Sequence, residues 1–152
     1  MKIVVIISCL FILLIGACQT QSPSNSQQQE IDSLKSVINQ LKPGLGEVMT
    51  QFEYHHDRLS GAIGQHDFER ASYEVDEIKE AAEKIMQLHI TNDKLQQPFS
   101  FFFEKYLKNS LDILADNATK KDTAALRSNF VALTNNCNGC HHENNMSFMK
   151  IN

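Results

Sequence analysis

The sequence carries little positive charge and contains few cysteines. Its 152 residues include 14 Lys and Arg against 18 Asp and Glu, which gives a formal net charge of −4, and only four cysteines. Because nucleic acid attracts basic surfaces, this charge balance argues against nucleic acid as a partner. It favours a protein partner with a basic patch, since opposite charges accelerate the encounter of two proteins.

Several kinds of catalytic and repeat pattern are also missing. The chain shows no alternating strand pattern, no internal repeat, no paired carboxylates, no nucleophile with a neighbouring base, and no glycine-rich phosphate loop. The absence of strand periodicity leaves helices as the predicted elements. The absence of catalytic patterns predicts a carrier or binding protein, not an enzyme.

The N-terminal segment is read as a targeting signal. Residues 3–15 form an apolar run that is short for a membrane span, and it ends in Leu14-Ile15-Gly16-Ala17-Cys18. This ending resembles a bacterial lipoprotein signal, with an ordinary secretory signal as the alternative. The resemblance implies removal of residues 1–17, lipid on Cys18, and a chain anchored to the bacterial envelope and facing the periplasm. Gln19 slightly favours the outer membrane.

The two cysteines that remain lie in the run Cys137-Asn138-Gly139-Cys140-His141. Cys9 leaves with the signal and Cys18 takes lipid, so Cys137 and Cys140 need another use in an oxidising compartment. The spacing C-x-x-C-H is the attachment pattern of a c-type haem. It predicts haem c bound covalently through Cys137 and Cys140, with His141 as the proximal iron ligand.

Other chemistries of a C-x-x-C pair are weighed against haem. A disulfide-exchange motif would need a βαβ pattern, which the chain lacks, and a closed zinc site would need a second Cys or His pair. Copper stays open as an alternative. Thiolates and thioethers suit Cu(I), and His142, Met146 and Met149 follow the motif closely.

Helical periodicity organises the mature chain into a tether and a helical domain. Residues 18–30 are polar and predict a flexible tether, and residues 31–152 predict the domain, with a short helix over 31–41 before Pro43. A bundle over 44–142 follows, in which three apolar seams have helical spacing and a fourth apolar face is broader. The seams begin at Leu45, Phe68 and Leu126, and the broad face at Phe99. Asp67 is the predicted N-cap of the Phe68 helix, and Glu74 is predicted to lie on the acidic outer face of that helix. The last seam includes both motif cysteines.

Four such helices with C-x-x-C-H at the end of the last one resemble the class II c-type cytochromes, the cytochrome c′ group. The resemblance covers about residues 44–142, and Cys137–His141 is its only specific motif. It implies an up-down four-helix bundle. Bundles of this class often dimerise, so the resemblance also leaves a homodimer open. The family usually has a basic residue within a turn after the motif, whereas this chain has His142-Glu143-Asn144-Asn145.

The second axial ligand of the iron has several candidates. Up-down connectivity brings the motif near the start of the Leu45 helix, where Met49 is the first candidate and the family's distal position also lies. His56 on the same seam is the second candidate, His89 is a weaker one, and an open distal face is the remaining alternative. The predicted haem walls are apolar or aromatic residues that could equally be ordinary core: Met49, Phe52, Ile85, Met86, Phe99, Phe102 and Phe103.

These expectations lead to one function with three rivals. The chain is predicted to be a mono-haem cytochrome that carries one electron and is tethered to the envelope. If the distal face is open, the same bundle would bind a small gas such as NO or CO. A copper-binding lipoprotein using Cys137, Cys140, His141 and Met146 is a rival. Another is a structural lipoprotein whose helix 31–41 docks a partner.

Overall fold

The structure is a computed structural model that describes residues 24–152. The predicted signal peptide, the lipidation site Cys18 and the start of the tether lie outside the described residues. Within the described part, every regular element is helical and no strand forms, so the all-α prediction is confirmed. The chain divides into two units, one that ends at Leu41 and one that comprises Lys42–Asn152.

The first unit contains helix α1, Asn25–Leu41, which begins earlier than the sequence predicted. Residues 25–30 are helical instead of forming part of a tether. The reason is a capping box, in which the Ser24 hydroxyl accepts from Gln27 N at 3.4 Å while Gln27 Oε1 accepts from Ser24 N at 2.9 Å. None of the residues of α1 is buried.

The second unit is a bundle of four helical rods. They are α2 (Leu45–Gln65), α3 (Phe68–Gln87), a continuous rod made of α4 (Phe99–Phe102), a π-helical turn (Phe103–Leu107) and α5 (Lys108–Thr119), and α6 (Thr123–Glu143). Two aspartates set helix starts, because Asp67 accepts from Arg70 N and Asp122 accepts from Ala125 N, each at 3.0 Å.

The rods close into a ring around one core. Helix α2 packs against α3, α3 against α5, α5 against α6, and α6 back against α2. The connections over residues 66–67 and 120–122 are short, the one over 88–98 is longer, and consecutive rods run antiparallel. At one end of the ring, the end of α2 meets the start of α6, where His66 Nδ1 lies 3.0 Å from Thr123 Oγ1. The predicted four-helix bundle is therefore present in this unit.

One predicted surface residue lies in the interior. The sequence placed Glu74 on the outer acidic face of α3, but its side chain is completely buried. Glu74 lies one helical turn from both Ala71 and Ile78, which are core residues, so it shares their face. Its carboxylate bonds His55 Nδ1 at 2.6 Å, Arg58 Nε at 3.1 Å and Arg70 Nε. A buried carboxylate is tolerated here because three donors satisfy it.

Candidate functional site

Helix α6 carries both motif cysteines one turn apart near its end, and Cys137 packs against the bundle core. Leu126 and Leu133 lie on the same stripe, earlier in the helix, and each is 1% exposed. Cys137 packs against the core cluster, and Cys140 is half-buried one turn further on. Both thiols are free within the described part of the chain. Cys137 thus lies on the core-facing stripe, and Cys140 lies at its half-exposed end.

Burial makes these thiols weak acids. Desolvation raises the pKa of Cys137 to about 12 and that of Cys140 to about 11. The thiolate is the form that exchanges disulfides and binds metals, and a raised pKa suppresses it at neutral pH. The pair is therefore unlike the activated cysteines of redox enzymes, in which the surroundings lower the thiol pKa.

His141 is oriented by the C-terminal tail, residues 145–152. Its Nδ1 is bonded to the backbone carbonyl of Met149, and a carbonyl can only accept, so Nδ1 carries the proton. In the neutral imidazole, Nε2 then has a free lone pair. Histidines that bind a metal commonly hold their other ring nitrogen in this way, which fixes the tautomer and the ring orientation.

Two asparagines hold the motif in place. Asn138 bonds the tail in both directions, because its Nδ2 donates to Ile151 O and its Oδ1 accepts from Ile151 N, each at 2.9 Å. Asn144 is 2% exposed, donates to Cys140 O at 2.8 Å and accepts from Gln96 N at 2.9 Å. Its Nδ2 also lies 3.7 Å from Cys140 Sγ. The motif is thus tied to the tail and to the loop between α3 and α4.

The π-helical turn packs against the glycine of the motif. A Cβ added at Gly139 would lie 3.0 Å from Cε1 of Tyr106, so the ring rests on the glycine. The Tyr106 hydroxyl donates to Glu143 Oε2, which also accepts from Lys105 Nζ at 2.6 Å. These bonds, first the one from Lys105, lower the pKa of Glu143. Tyr106 therefore packs directly on the glycine of the motif.

His56, the second distal candidate, is already bonded within the protein. Thr134 Oγ1 donates to Phe130 O at 3.1 Å, so it accepts from His56 Nε2 at 2.8 Å. The His56 ring lies 4.5 Å from that of Phe130, measured between centroids. Burial lowers the pKa of His56 and favours the neutral ring. A ring held by these contacts is that of a satisfied core histidine.

Met49, the first distal candidate, lies level with the motif. Helices α2 and α6 run antiparallel, and the His56–Thr134 contact fixes their register. Met49 precedes His56 by about two turns, and His141 follows Thr134 by about two turns. Met49 is partly buried and packs against the core cluster. The register therefore favours Met49 over His56 as the distal ligand, because His56 lies on the order of 10 Å from the level of His141 along the helix axis.

A cleft opens near the same end of the bundle. Its volume is about 600 Å³, within the usual range for cofactor and ligand sites. Ile85, Met86 and Phe99, three of the predicted haem-wall residues, line it together with His89. The motif residues do not line the cleft. The Asn144–Gln96 hydrogen bond joins its rim to the end of α6.

The donor set can be compared with what a haem requires of a protein. Within residues 24–152, no three His, Cys, Asp or Glu side chains are grouped so that they could hold a metal ion. A haem iron takes four ligands from the porphyrin and needs only one or two from the protein. Two free thiols one turn apart and a histidine with a free Nε2 lone pair fit that requirement.

Four of the residues that shape the site were not singled out from the sequence: Asn138, Asn144, Tyr106 and Glu143. Helical spacing could have identified two of them, because Glu143 and Asn144 lie three and four residues after Cys140 and are therefore its neighbours on the helix surface. The contacts made by Tyr106 and by the tail join residues that are distant in sequence or outside the helix, and periodicity does not reveal them.

Comparisons with known proteins leave the chain without an assigned family. Searches of protein-family models, curated proteins and solved structures found no match. Between residues 24 and 152, no helix combines the length and the apolar character that crossing a membrane requires.

Proposed function

We propose that this chain is a mono-haem c-type cytochrome that carries one electron and is anchored to the bacterial envelope through lipid on Cys18. The observation that carries the proposal is the geometry of C-x-x-C-H on α6. Cys137 packs against the core, Cys140 is half-buried one turn further on, and both thiols are free. The Nδ1 of His141 is bonded to Met149 O, which leaves Nε2 available. A haem bound there would supply a one-electron iron couple.

The residues around the motif have separable roles in this proposal. Cys137 and Cys140 attach the group, and His141 is its proximal ligand. The tail fixes the His141 ring through Met149 O and Ile151, and Asn144 directs an N–H towards Cys140. The apolar residues beside the cleft would exclude water, which tunes the potential of a buried redox centre.

Met49 is the proposed distal ligand, because its register places it level with His141. A thioether in that position favours a low-spin centre with a raised potential. The engagement of His56 with Thr134 supports a second candidate function. If neither Met49 nor His89 binds the iron, the distal face would be open while His56 stays bonded to Thr134, and the site would take a small gas such as NO or CO.

The test is the visible spectrum of the full chain, produced in cells that attach haem c. An intense Soret band that remains with the protein after acid-acetone extraction is expected. Sharp bands in the reduced protein would indicate the electron carrier, and broad bands that sharpen with CO would indicate the gas-binding protein. A colourless chain would refute the cytochrome, and copper titration would then test the Cu(I) alternative.

Matched variants assign the ligands. His141→Ala should alter the spectrum strongly, whereas His142→Ala, an exposed neighbour, should leave it unchanged. Met49→Leu keeps similar volume but removes the thioether, and it should convert sharp reduced bands into a CO-reactive spectrum. Met86→Leu is the control for loss of a partly buried methionine. Equal effects of the two leucine variants would contradict the assignment of Met49.

A further inference from the structure

Helix α1 exposes a continuous apolar stripe. Ile31 is 37% exposed, Leu34 56%, Ile38 55% and Leu41 78%. The helix has 17 residues, little longer than the limit at which isolated helices become marginal in water. Such a helix gains most of its stability by packing its apolar face against another surface. The stripe is therefore the face through which α1 would pack against another surface.

The spacing and the residue types of the stripe indicate which kind of surface packs against α1. The four residues follow steps of three, four and three, which assigns Ile31 and Ile38 to heptad position a and Leu34 and Leu41 to position d. β-Branched residues at a with leucine at d favour parallel two-stranded coiled coils over trimers and tetramers. Positions on the outer side of α1 are polar, and Asp32, Ser33, Ser36, Asn39 and Gln40 occupy them.

The charges that flank the stripe are complementary between two copies. Glu30 occupies position g and Lys35 occupies the following position e. In a parallel pair, each g residue faces the next e residue of the other helix, so two Glu30–Lys35 pairs form across the seam. In an antiparallel pair, g faces g and e faces e, and these attractions are lost. Charge therefore favours the parallel arrangement.

We propose that α1 joins two copies of this chain as a parallel two-stranded coiled coil. A membrane surface fits the helix less well, because interfacial helices are rich in Lys and Arg on the polar face. The charged residues of α1 are Glu30, Asp32 and Lys35, a net negative set. The inference is independent of haem, and variants of α1 leave the absorption spectrum of the bundle unchanged.

Disulfide trapping in the full chain tests the orientation. A parallel pair brings the two copies of position 41 within the Cα separation that a disulfide spans. Leu41→Cys should therefore yield a covalent dimer that reducing agent dissolves. Ser36→Cys, on the outer side of the same helix, should yield no more dimer than the unaltered chain, which controls for the native cysteines. Equal trapping at positions 36 and 41 would overturn the proposal.

Sedimentation of the full chain in density-matched detergent tests the association. A concentration-dependent species of twice the monomer mass, with the monomer mass measured at the lowest concentration, is expected. Glu30→Lys or Lys35→Glu alone should weaken dimerisation at least tenfold, and the double exchange should restore it to within about threefold, because the pairs are re-formed with reversed signs.

Two outcomes would refute the coiled coil. One is a chain that stays monomeric at every concentration. The other is a dimer that persists when Leu34→Asp and Ile38→Asp are combined, since a different surface would then hold it. A monomer whose Leu34→Asp and Ile38→Asp variant loses binding to phosphatidylglycerol vesicles would assign α1 to the membrane surface instead.

Discussion

Replacing Gly139 by alanine sets two effects of known size against each other. Gly139 lies within α6 and has no positive φ, so its backbone accepts an L-residue. Alanine is favoured over glycine inside a helix by about 1 kcal/mol. The new Cβ would, however, lie 3.0 Å from Tyr106 Cε1, closer than ordinary carbon contacts.

The ring cannot move away freely. Its hydroxyl donates to Glu143, which also holds Lys105. Forcing an extra methyl group into a fixed contact costs about 1–3 kcal/mol. Subtracting the helix-propensity gain, Gly139→Ala should change the free energy of unfolding by between about 0 and 2 kcal/mol in the destabilising direction.

Gly61→Ala is the matched control. Gly61 lies inside α2, and an added Cβ meets nothing within 4 Å. This variant should gain about 1 kcal/mol, so the two alanine variants should differ by about 1–3 kcal/mol. The measurement is equilibrium urea unfolding followed by far-UV circular dichroism, with the chain produced free of haem so that attachment does not differ between variants.

A double-mutant cycle identifies the cause. With Tyr106→Ala as background, the space above Gly139 is open, and Gly139→Ala should become stabilising like Gly61→Ala. If Gly139→Ala stabilises the chain as much as Gly61→Ala while Tyr106 is present, the ring does not constrain the motif glycine. If the loss persists without the ring, another contact causes it.

Three further predictions concern the buried groups around the bundle. Glu74→Gln should lower the free energy of unfolding in urea by about 2–3 kcal/mol. This loss is smaller than that for breaking a fully buried ion pair, because the arginine partners of Glu74 are partly exposed. The control Glu80→Gln, at an exposed position, should change the free energy of unfolding by under about 0.5 kcal/mol. Haem-free motif thiols should react with iodoacetamide much more slowly at pH 8 than in urea. Since folding raises their pKa values to about 12 and about 11, stability should fall as pH rises above about 9. Asn138→Ala should speed hydrogen exchange at the Ile151 amide about tenfold or more, because that amide loses its acceptor, and Asn135→Ala should not. Unchanged exchange in Asn138→Ala would contradict the Asn138–Ile151 hydrogen bond, and fast alkylation at pH 8 would contradict the burial of the thiols. An unchanged stability of Glu74→Gln would contradict the buried contacts of Glu74.

The starts of the helices show how far local patterns reach. Apolar periodicity and the Asp67 cap predicted the bundle helices, because these signals act within one turn. The start of α1 at Asn25 depends on the Ser24–Gln27 capping box, also a local signal, which the polar composition of the segment concealed. Glu74 was misplaced because a charged side chain was assumed to lie outside, although its spacing from Ala71 and Ile78 is that of a core position.

The sequence by itself determined the all-helical class, the position of Cys137 on the inner stripe of α6 with Cys140 one turn further on, and the histidine that follows them. These properties depend on neighbours along one helix, and helical spacing fixes them. Only the tertiary structure decided that Met149 O orients His141, that Tyr106 rests on Gly139, and that His56 is bonded to Thr134 while Met49 lies level with the motif. Those outcomes depend on the register between helices and on the path of the tail, which side-chain packing sets and which no single segment encodes.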